Sequence, residues 1–116
     1  MDRVHVVHES SGISVGSTIA VVDSWWRRLR GLLARPPLKQ GEGLLLLRCD
    51  SVHTVGMRYS IDVAFLDAEG RVVRSIERLR PCRIGLGGTA AVHTLELPPG
   101  RLEETGTVPG VRLTWS

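Results

Sequence analysis

The chain has 116 residues, of which 42% are hydrophobic and 23% are charged. This length and composition predict one globular domain covering residues 1–116 and exclude a disordered or membrane-embedded chain. The 15 basic and 12 acidic residues give a net charge of +3, which by itself identifies no partner. Because no apolar run is long enough for a signal peptide or a membrane span, we expect a cytoplasmic protein without a transmembrane segment.

The first half of the chain predicts strands around one helix. Residues 3–8 and 15–22 are rich in valine and other β-branched types, which is typical of strands. A helix is predicted over residues 24–34, since Asp23 can cap its first turn and a Pro-Pro pair prevents its continuation. Its tryptophans and leucines fall on one arc and its arginines on the other, so one face should pack. The LLLL run at 44–47 is expected to form a buried strand.

The second half predicts a hairpin and further short strands. From Met57 to Phe65 apolar residues alternate with polar ones, which is the clearest strand signal in the chain. The residues DAEG then predict a turn into a second strand, and the glycine-rich stretch after Pro81 is expected to be a loop. Residues 91–97 alternate again, residues 101–105 can form one helical turn, and VRLTW should close the fold. These elements predict a mainly β fold, a small antiparallel barrel or sandwich with the early helix packed against it.

Several separated blocks of the sequence resemble the DUF192 family, also called UPF0127. They are RRLRGLLARPPL with GLLLL, HTVGMRYSIDVAFLDAEGRVV, and AVHTLELPPGRLEETG, in that order. The resemblance covers most of the chain, from about Ile19 to about Leu113. It implies a small bacterial or archaeal protein without an assigned function. Many members carry a leader or lipoprotein signal, and no such segment is seen here.

The family motifs map onto four blocks of this chain, and Val55 stands where the family usually has an aromatic residue. The mapped positions are Arg30, Gly31, Leu32, Leu33, Arg35, His53, Thr54, Val55, Gly56, Met57, Ile61, Asp62, Phe65, Leu95, Glu96, Leu97 and Gly100. Among them, Arg30, Gly31 and Gly100 are expected to be structural motif positions. The resemblance implies that a site, if the family has one, is built from the others.

Asp62 needs an explanation, because aspartate is disfavoured inside strands and a carboxylate among apolar neighbours must find donors. One interpretation is structural, with backbone amides or an arginine satisfying the carboxylate. The other is a binding site: if their strands share a sheet, Asp62 and Glu96 can line one polar face with Thr54. The predicted ligand-binding residues are His53, Thr54, Met57, Arg58, Asp62 and Glu96. We therefore predict a non-catalytic binding module for a small ligand or a protein partner.

Two alternatives remain open. A small hydrolase would use Asp62 and Glu96 as an acid–base pair. A structural or assembly factor would instead dock on another protein through the arginines of the helix or through the closing strand.

Metals, cofactors and nucleic acid are not expected. HExxH and paired CxxC motifs are absent from the sequence, and a lone histidine such as His93 on an apolar strand is more often a hydrogen-bonded core residue than a ligand. Cys49 and Cys82 are too few for a disulfide framework, so we expect reduced thiols, with a single bridge as the alternative. The arginines of the predicted helix are not interleaved with exposed aromatic residues, so a nucleic-acid-binding surface is not expected there. The expected partner is an unknown small molecule or protein, and the expected state is a monomer or weak dimer.

Overall fold

The structure, a computed structural model, describes residues 2–23 and 37–116. The helix predicted over residues 24–34, with Arg30 and Gly31, lies outside the described residues. The elements are β1 (Arg3–His8), β2 (Ser14–Val22), β3 (Glu42–Leu46), β4 (Ser51–His53), β5 (Ile61–Leu66), β6 (Val72–Leu79), β7 (Ile84–Leu86), β8 (His93–Leu97), α1 (Arg101–Thr105) and β9 (Leu113–Trp115). Within the two described ranges, no helix has the length and apolarity needed to cross a bilayer.

Seven strands form one sheet in the order β6-β5-β8-β3-β2-β1-β9, and β4 pairs with β7 in a separate two-stranded ribbon. The predicted mainly β class with a short helix at 101–105 is confirmed. The barrel is not supported, because the sheet is not closed: its edge strands β6 and β9 do not pair with each other. Only Arg71 and Arg112, the residues directly before these strands, form an isolated bridge. The sheet is also not wholly antiparallel, since β2 and β3 run parallel. A parallel pair needs a long crossover, and residues 23–41 supply that length.

Apolar residues cover both faces of the central strands, and all six residues of β5 are buried. One face carries Ala64, Leu95 and Leu97 together with Leu102 of α1, and we call it the helix face. The other carries Val63, Phe65 and Leu46 together with Val52 of β4, and we call it the ribbon face. Because successive side chains of a strand point to opposite faces, a polar residue in β5 or β8 is assigned to one core by its register.

The strand predicted from Met57 to Phe65 begins only at Ile61. A turn precedes it, in which the Met57 amide donates to the Thr54 carbonyl at 3.1 Å and Gly56 has a φ of 84°. Met57 and Tyr59 nevertheless pack against the ribbon-face core. Their alternation therefore reflects burial of apolar side chains without strand pairing.

The predicted turn at DAEG joins β5 to β6 as an antiparallel hairpin. Asp67 Oδ1 accepts the backbone amides of Glu69 and Arg71, each at 2.9 Å, which is how an aspartate stabilises a tight turn. Gly70 has a φ of 86°, and a Cβ there would lie 2.4 Å from the Leu113 carbonyl oxygen. Glycine is therefore required on both conformational and steric grounds.

Candidate functional site

Asp62 is the second residue of β5, lies on the helix face and is 0% exposed. Its Oδ1 accepts the backbone amide of Arg78 and its Oδ2 accepts the backbone amide of Leu102, both at 2.9 Å. Arg78 belongs to a bulge of β6, where two residues oppose the single Asp62, and its φ is 51°. The carboxylate thus ties an irregular strand to the start of α1. This geometry matches the structural interpretation of Asp62.

The contact with Leu102 replaces an ordinary helix cap. The N-cap residue of α1 is Gly100, with a φ of 89°, and a glycine has no side-chain oxygen to offer. Leu102 is the second residue of the helix, whose amide a capping side chain usually satisfies. Asp62 supplies that acceptor from β5. A Cβ at Gly100 would lie 3.3 Å from Arg78 Nη2, so this family motif position lies beside the same bulge.

Glu96 points away from Asp62. The register pairs Asp62 with Leu97 and Val63 with Glu96, so Glu96 shares the ribbon face with Val63. Glu96 is 1% exposed and has an interaction partner in the fold. The register contradicts the expected common polar face of Asp62 and Glu96. Two carboxylates on opposite faces of one sheet cannot act on the same bond, so this pair lacks the geometry of acid–base catalysis.

Thr54 directly follows β4 and is fully buried. Its hydroxyl donates to the Arg80 carbonyl at 2.6 Å and accepts the Arg83 amide at 2.8 Å. Its own carbonyl accepts the amide of Cys82, whose φ is 60°. Thr54 therefore holds the loop 80–83 that leads into β7. A ligand would have to displace these bonds to reach the hydroxyl.

The other predicted site residues lie nearer the surface. His53 ends β4 opposite Ile84, and it is exposed. Arg58 is exposed, whereas Met57 is half-buried against the ribbon-face core. Of the six predicted ligand-binding residues, Asp62, Glu96 and Thr54 are thus enclosed in the core.

Sequence reasoning missed a group of exposed apolar side chains on the outside of the ribbon. Ile84 is 71% exposed, and Leu86 and Val55 are each 59% exposed. The pairing of His53 with Ile84 and of Ser51 with Leu86 turns the outer side chains of β4 and β7 to one side. We call the set His53, Ile84 and Leu86 the ribbon surface, and Val55 lies in the turn that follows β4. The ribbon surface adjoins the block in which the site was predicted.

Glycines on the inner side of β7 explain why its large residues point outward. A Cβ at Gly85 would lie 3.0 Å from Ile76 Cδ1, and one at Gly87 would lie 2.6 Å from Phe65 Cδ1. A side chain at Gly87, directly after β7, would clash with Phe65, and one at Gly85 would have to displace the Ile76 side chain. Ile84 and Leu86 occupy the alternating outer positions. The signal in the sequence is the alternation of IGLG, although its glycines predict a loop.

Arginines outnumber acidic residues in the sequence next to the ribbon surface, where the exposed Asp50 directly precedes β4. Residues 51–61 and 78–90 contain no Asp or Glu, and every charged residue in them is an arginine. Arg74 of β6 also belongs to this rim, because its Nη1 donates to the Leu86 carbonyl. The exposed rim arginines are Arg58, Arg74, Arg80 and Arg83. Within residues 2–23 and 37–116, none of these four forms an ion pair with a carboxylate.

The histidines of the sheet are structural. His8 is buried, and its Nε2 lies 2.9 Å from the Thr107 hydroxyl. Burial lowers the pKa of His8 below the ordinary value of 6.5. His93 accepts the Arg48 amide at Nδ1 and lies edge-on to Trp115. Burial, and then the Arg48 charge, lower the pKa of His93.

The cysteines and the acidic side chains bear on two of the sequence predictions. Both cysteines are free thiols, Cys49 buried and Cys82 exposed. Across the described part of the chain, no group of three or more His, Cys, Asp or Glu side chains is arranged to hold a metal ion.

The chain is similar to proteins of one family along nearly its whole length. Residues 6–115 match the profile of DUF192, described as "Uncharacterized ACR, COG1430". The UPF0127 protein PH1112 of Pyrococcus horikoshii is 32% identical over 113 residues, which cover 95% of this chain and 97% of the relative. A UPF0127 protein of Thermococcus sibiricus is 27% identical, covering 95% of this chain and 73% of the relative.

Two crystal structures share the fold. A putative transcription regulator from Sinorhizobium meliloti 1021 superposes with a TM-score of 0.81 at 23% identity, covering 97% of this chain and 92% of that one. A protein of unknown function from Novosphingobium aromaticivorans DSM 12444 superposes with a TM-score of 0.75 at 20% identity, covering 94% and 91%. At these identities the likeness concerns the fold alone. Given the family match over residues 6–115, the chain belongs to the DUF192 family, also called UPF0127.

Proposed function

We propose that the protein is a non-catalytic module that binds another protein through the ribbon surface. The observation that carries this proposal is the inverted pattern of β7, with glycines facing the core and Ile84 and Leu86 facing outward. Large apolar side chains grouped at the surface are typical of interaction sites. Covering one such side chain completely stabilises a complex by about 1.5–3 kcal/mol.

The proposal gives the predicted site residues two different tasks. His53 and Arg58 are exposed and are proposed to contact the partner. Thr54 is proposed to position the ribbon, because its hydroxyl bridges the Arg80 carbonyl and the Arg83 amide just before β7. Asp62 is proposed to act at a greater distance, by fixing the bulge of β6 at Arg78. A preformed surface loses less entropy when it binds, which favours affinity.

A crosslinking experiment identifies the partner. A benzophenone maleimide is attached to Cys82, which is exposed beside the ribbon, whereas Cys49 is buried and donates its thiol to the Ser51 carbonyl. The matched control is Cys82→Ser with Glu103→Cys, which moves the label to α1, on the other side of the sheet. We expect a protein of the host cell to be captured from Cys82 and not from position 103.

The captured protein is then purified and its Kd is measured with two matched double variants. Ile84→Ser with Leu86→Ser removes the apolar ribbon contacts. Ile13→Ser with Val108→Ser removes two exposed apolar side chains elsewhere. We expect the ribbon pair to weaken binding by about tenfold or more and the control pair to leave Kd unchanged. Equal effects of the two pairs, or equal capture from both label positions, would refute the proposal.

A further inference from the structure

We infer that the segment bound by the ribbon surface is an acidic polypeptide, in which carboxylates flank aliphatic side chains. The inference rests on the proposed function and adds the chemistry of the partner. Three observations support it: the excess of arginines over acidic residues along the ribbon, where Asp50 directly precedes β4, the rim arginines without a carboxylate partner among the described residues, and the spacing of charges and apolar groups.

The first two observations concern charge. Residues 51–61 and 78–90 include all of β4 and β7 and contain no Asp or Glu. The four rim arginines form no ion pair within the described ranges, while Arg78, Arg101 and Arg112 elsewhere each pair with a glutamate. A basic partner would meet uncompensated repulsion at this rim. An acidic one would find four guanidinium groups that pair with no carboxylate of the described residues, although Arg74 also donates to the Leu86 carbonyl.

The third observation is the position of the cations relative to the apolar anchors. Arg83 directly precedes Ile84, and the Arg74 guanidinium is held at the Leu86 carbonyl. Cations therefore lie at both ends of β7, whose three residues span about 10 Å. An extended segment of similar length, with aliphatic residues between acidic ones, matches both features at once. Guanidinium groups suit such a partner, because they bind carboxylates with two parallel hydrogen bonds.

Anionic lipid is the other source of negative charge, and the geometry favours the polypeptide. Ile84 and Leu86 form a short strip bounded by charge at both ends. A strip of this shape can be covered by one extended chain. A lipid surface would offer anionic headgroups in a plane and would not need cations at both ends of a strand.

A random peptide display library tests the inference directly. The full chain is immobilised, bound peptides are sequenced, and each enriched peptide is measured against the variants Arg83→Gln, Arg74→Gln and Arg3→Gln. Arg3 is exposed on β1 and is the control for loss of one positive charge. We expect enriched peptides to be acidic with aliphatic residues. Their Kd should rise about twofold to fivefold with each rim variant, should be unchanged with Arg3→Gln, and should rise with salt.

The outcomes separate this inference from the proposed function. Enriched peptides that are neutral or basic but still require Ile84 and Leu86 would overturn the acidic partner and keep the protein-binding role. If the Kd of the peptides changes neither with the rim arginine variants nor with Ile84→Ser and Leu86→Ser, the acidic partner and the protein-binding role are both overturned. The absence of any enriched peptide would have the same consequence. Phosphatidylserine vesicles are assayed in parallel with phosphatidylcholine vesicles as the control. If the protein binds phosphatidylserine vesicles through the rim arginines and no acidic peptides are enriched, the ligand is anionic lipid and the acidic polypeptide is overturned.

Discussion

Replacing Asp62 with alanine removes the acceptors of two backbone amides at once. The amides of Arg78 and Leu102 each lie 2.9 Å from one carboxylate oxygen, and Asp62 is completely buried. A buried amide left without an acceptor costs about 1–3 kcal/mol. The free energy of unfolding of Asp62→Ala should therefore fall by about 2–6 kcal/mol. Since small domains have a total stability of about 5–15 kcal/mol, this variant should be marginally folded.

Asp62→Asn provides a graded comparison. Asparagine keeps one acceptor oxygen but turns an N–H donor toward the second amide, so about half of the effect, about 1–3 kcal/mol, is expected. Urea unfolding followed by tryptophan fluorescence and far-UV circular dichroism measures the difference. The control is Glu77→Ala, an exposed carboxylate of the neighbouring strand, which should change stability by less than about 0.5 kcal/mol.

Hydrogen exchange locates the effect. In Asp62→Asn, the Leu102 and Arg78 amides should exchange faster, while the interior of β3 stays protected. The structural account of Asp62 is refuted if alanine leaves the urea midpoint unchanged, or if asparagine is more harmful than alanine. Loss of binding to a ligand with stability intact would instead support the binding interpretation of this residue.

Three further perturbations test the packing and the buried polar groups. Gly87→Ala should lower the free energy of unfolding by about 1–3 kcal/mol, because its Cβ would lie 2.6 Å from Phe65 Cδ1; an unchanged urea midpoint would contradict this contact. Thr54→Val should cost about 1–3 kcal/mol and speed exchange of the Arg83 amide, and slow exchange there would show another acceptor. Stability should decrease as the pH falls below about 6.5, because burial lowers the pKa of His8 and the unfolded chain then binds more protons. Urea unfolding across pH should give His8→Gln a shallower slope, and an equal slope would refute this assignment.

Local signals predicted the elements whose structure depends on nearby residues. The hairpin at DAEG formed because Asp67 and Gly70 satisfy the turn within a few residues. The single helical turn at 101–105 was predicted with its observed boundaries. The strand at 57–65 was predicted too long, because alternation reports burial and does not report hydrogen-bond pairing. Gly56 turns the chain before Ile61 can pair.

The arrangement of the site depended on contacts between distant segments. Asp62 and Glu96 are 34 positions apart, and the register of β5 against β8 decides whether they share a face. A shift of one residue would reverse the answer, and the sequence of either strand alone does not fix that register. The ribbon was missed for a related reason. Glycines at 85 and 87 favour a loop locally, whereas in the structure Gly85 packs in β7 against Ile76, and Gly87, directly after β7, packs against the ring of Phe65.

The central claim is that the ribbon surface, and not a face shared by Asp62 and Glu96, binds the partner. The most direct measurement uses the purified partner that crosslinking identifies. Its Kd for the double variant Ile84→Ser with Leu86→Ser is compared with its Kd for the double variant Ile13→Ser with Val108→Ser. All four positions are exposed, so all four changes should leave folding stability within about 0.5 kcal/mol of the parent. The account predicts a Kd raised about tenfold or more for the ribbon pair alone. An unchanged Kd for the ribbon pair would contradict it.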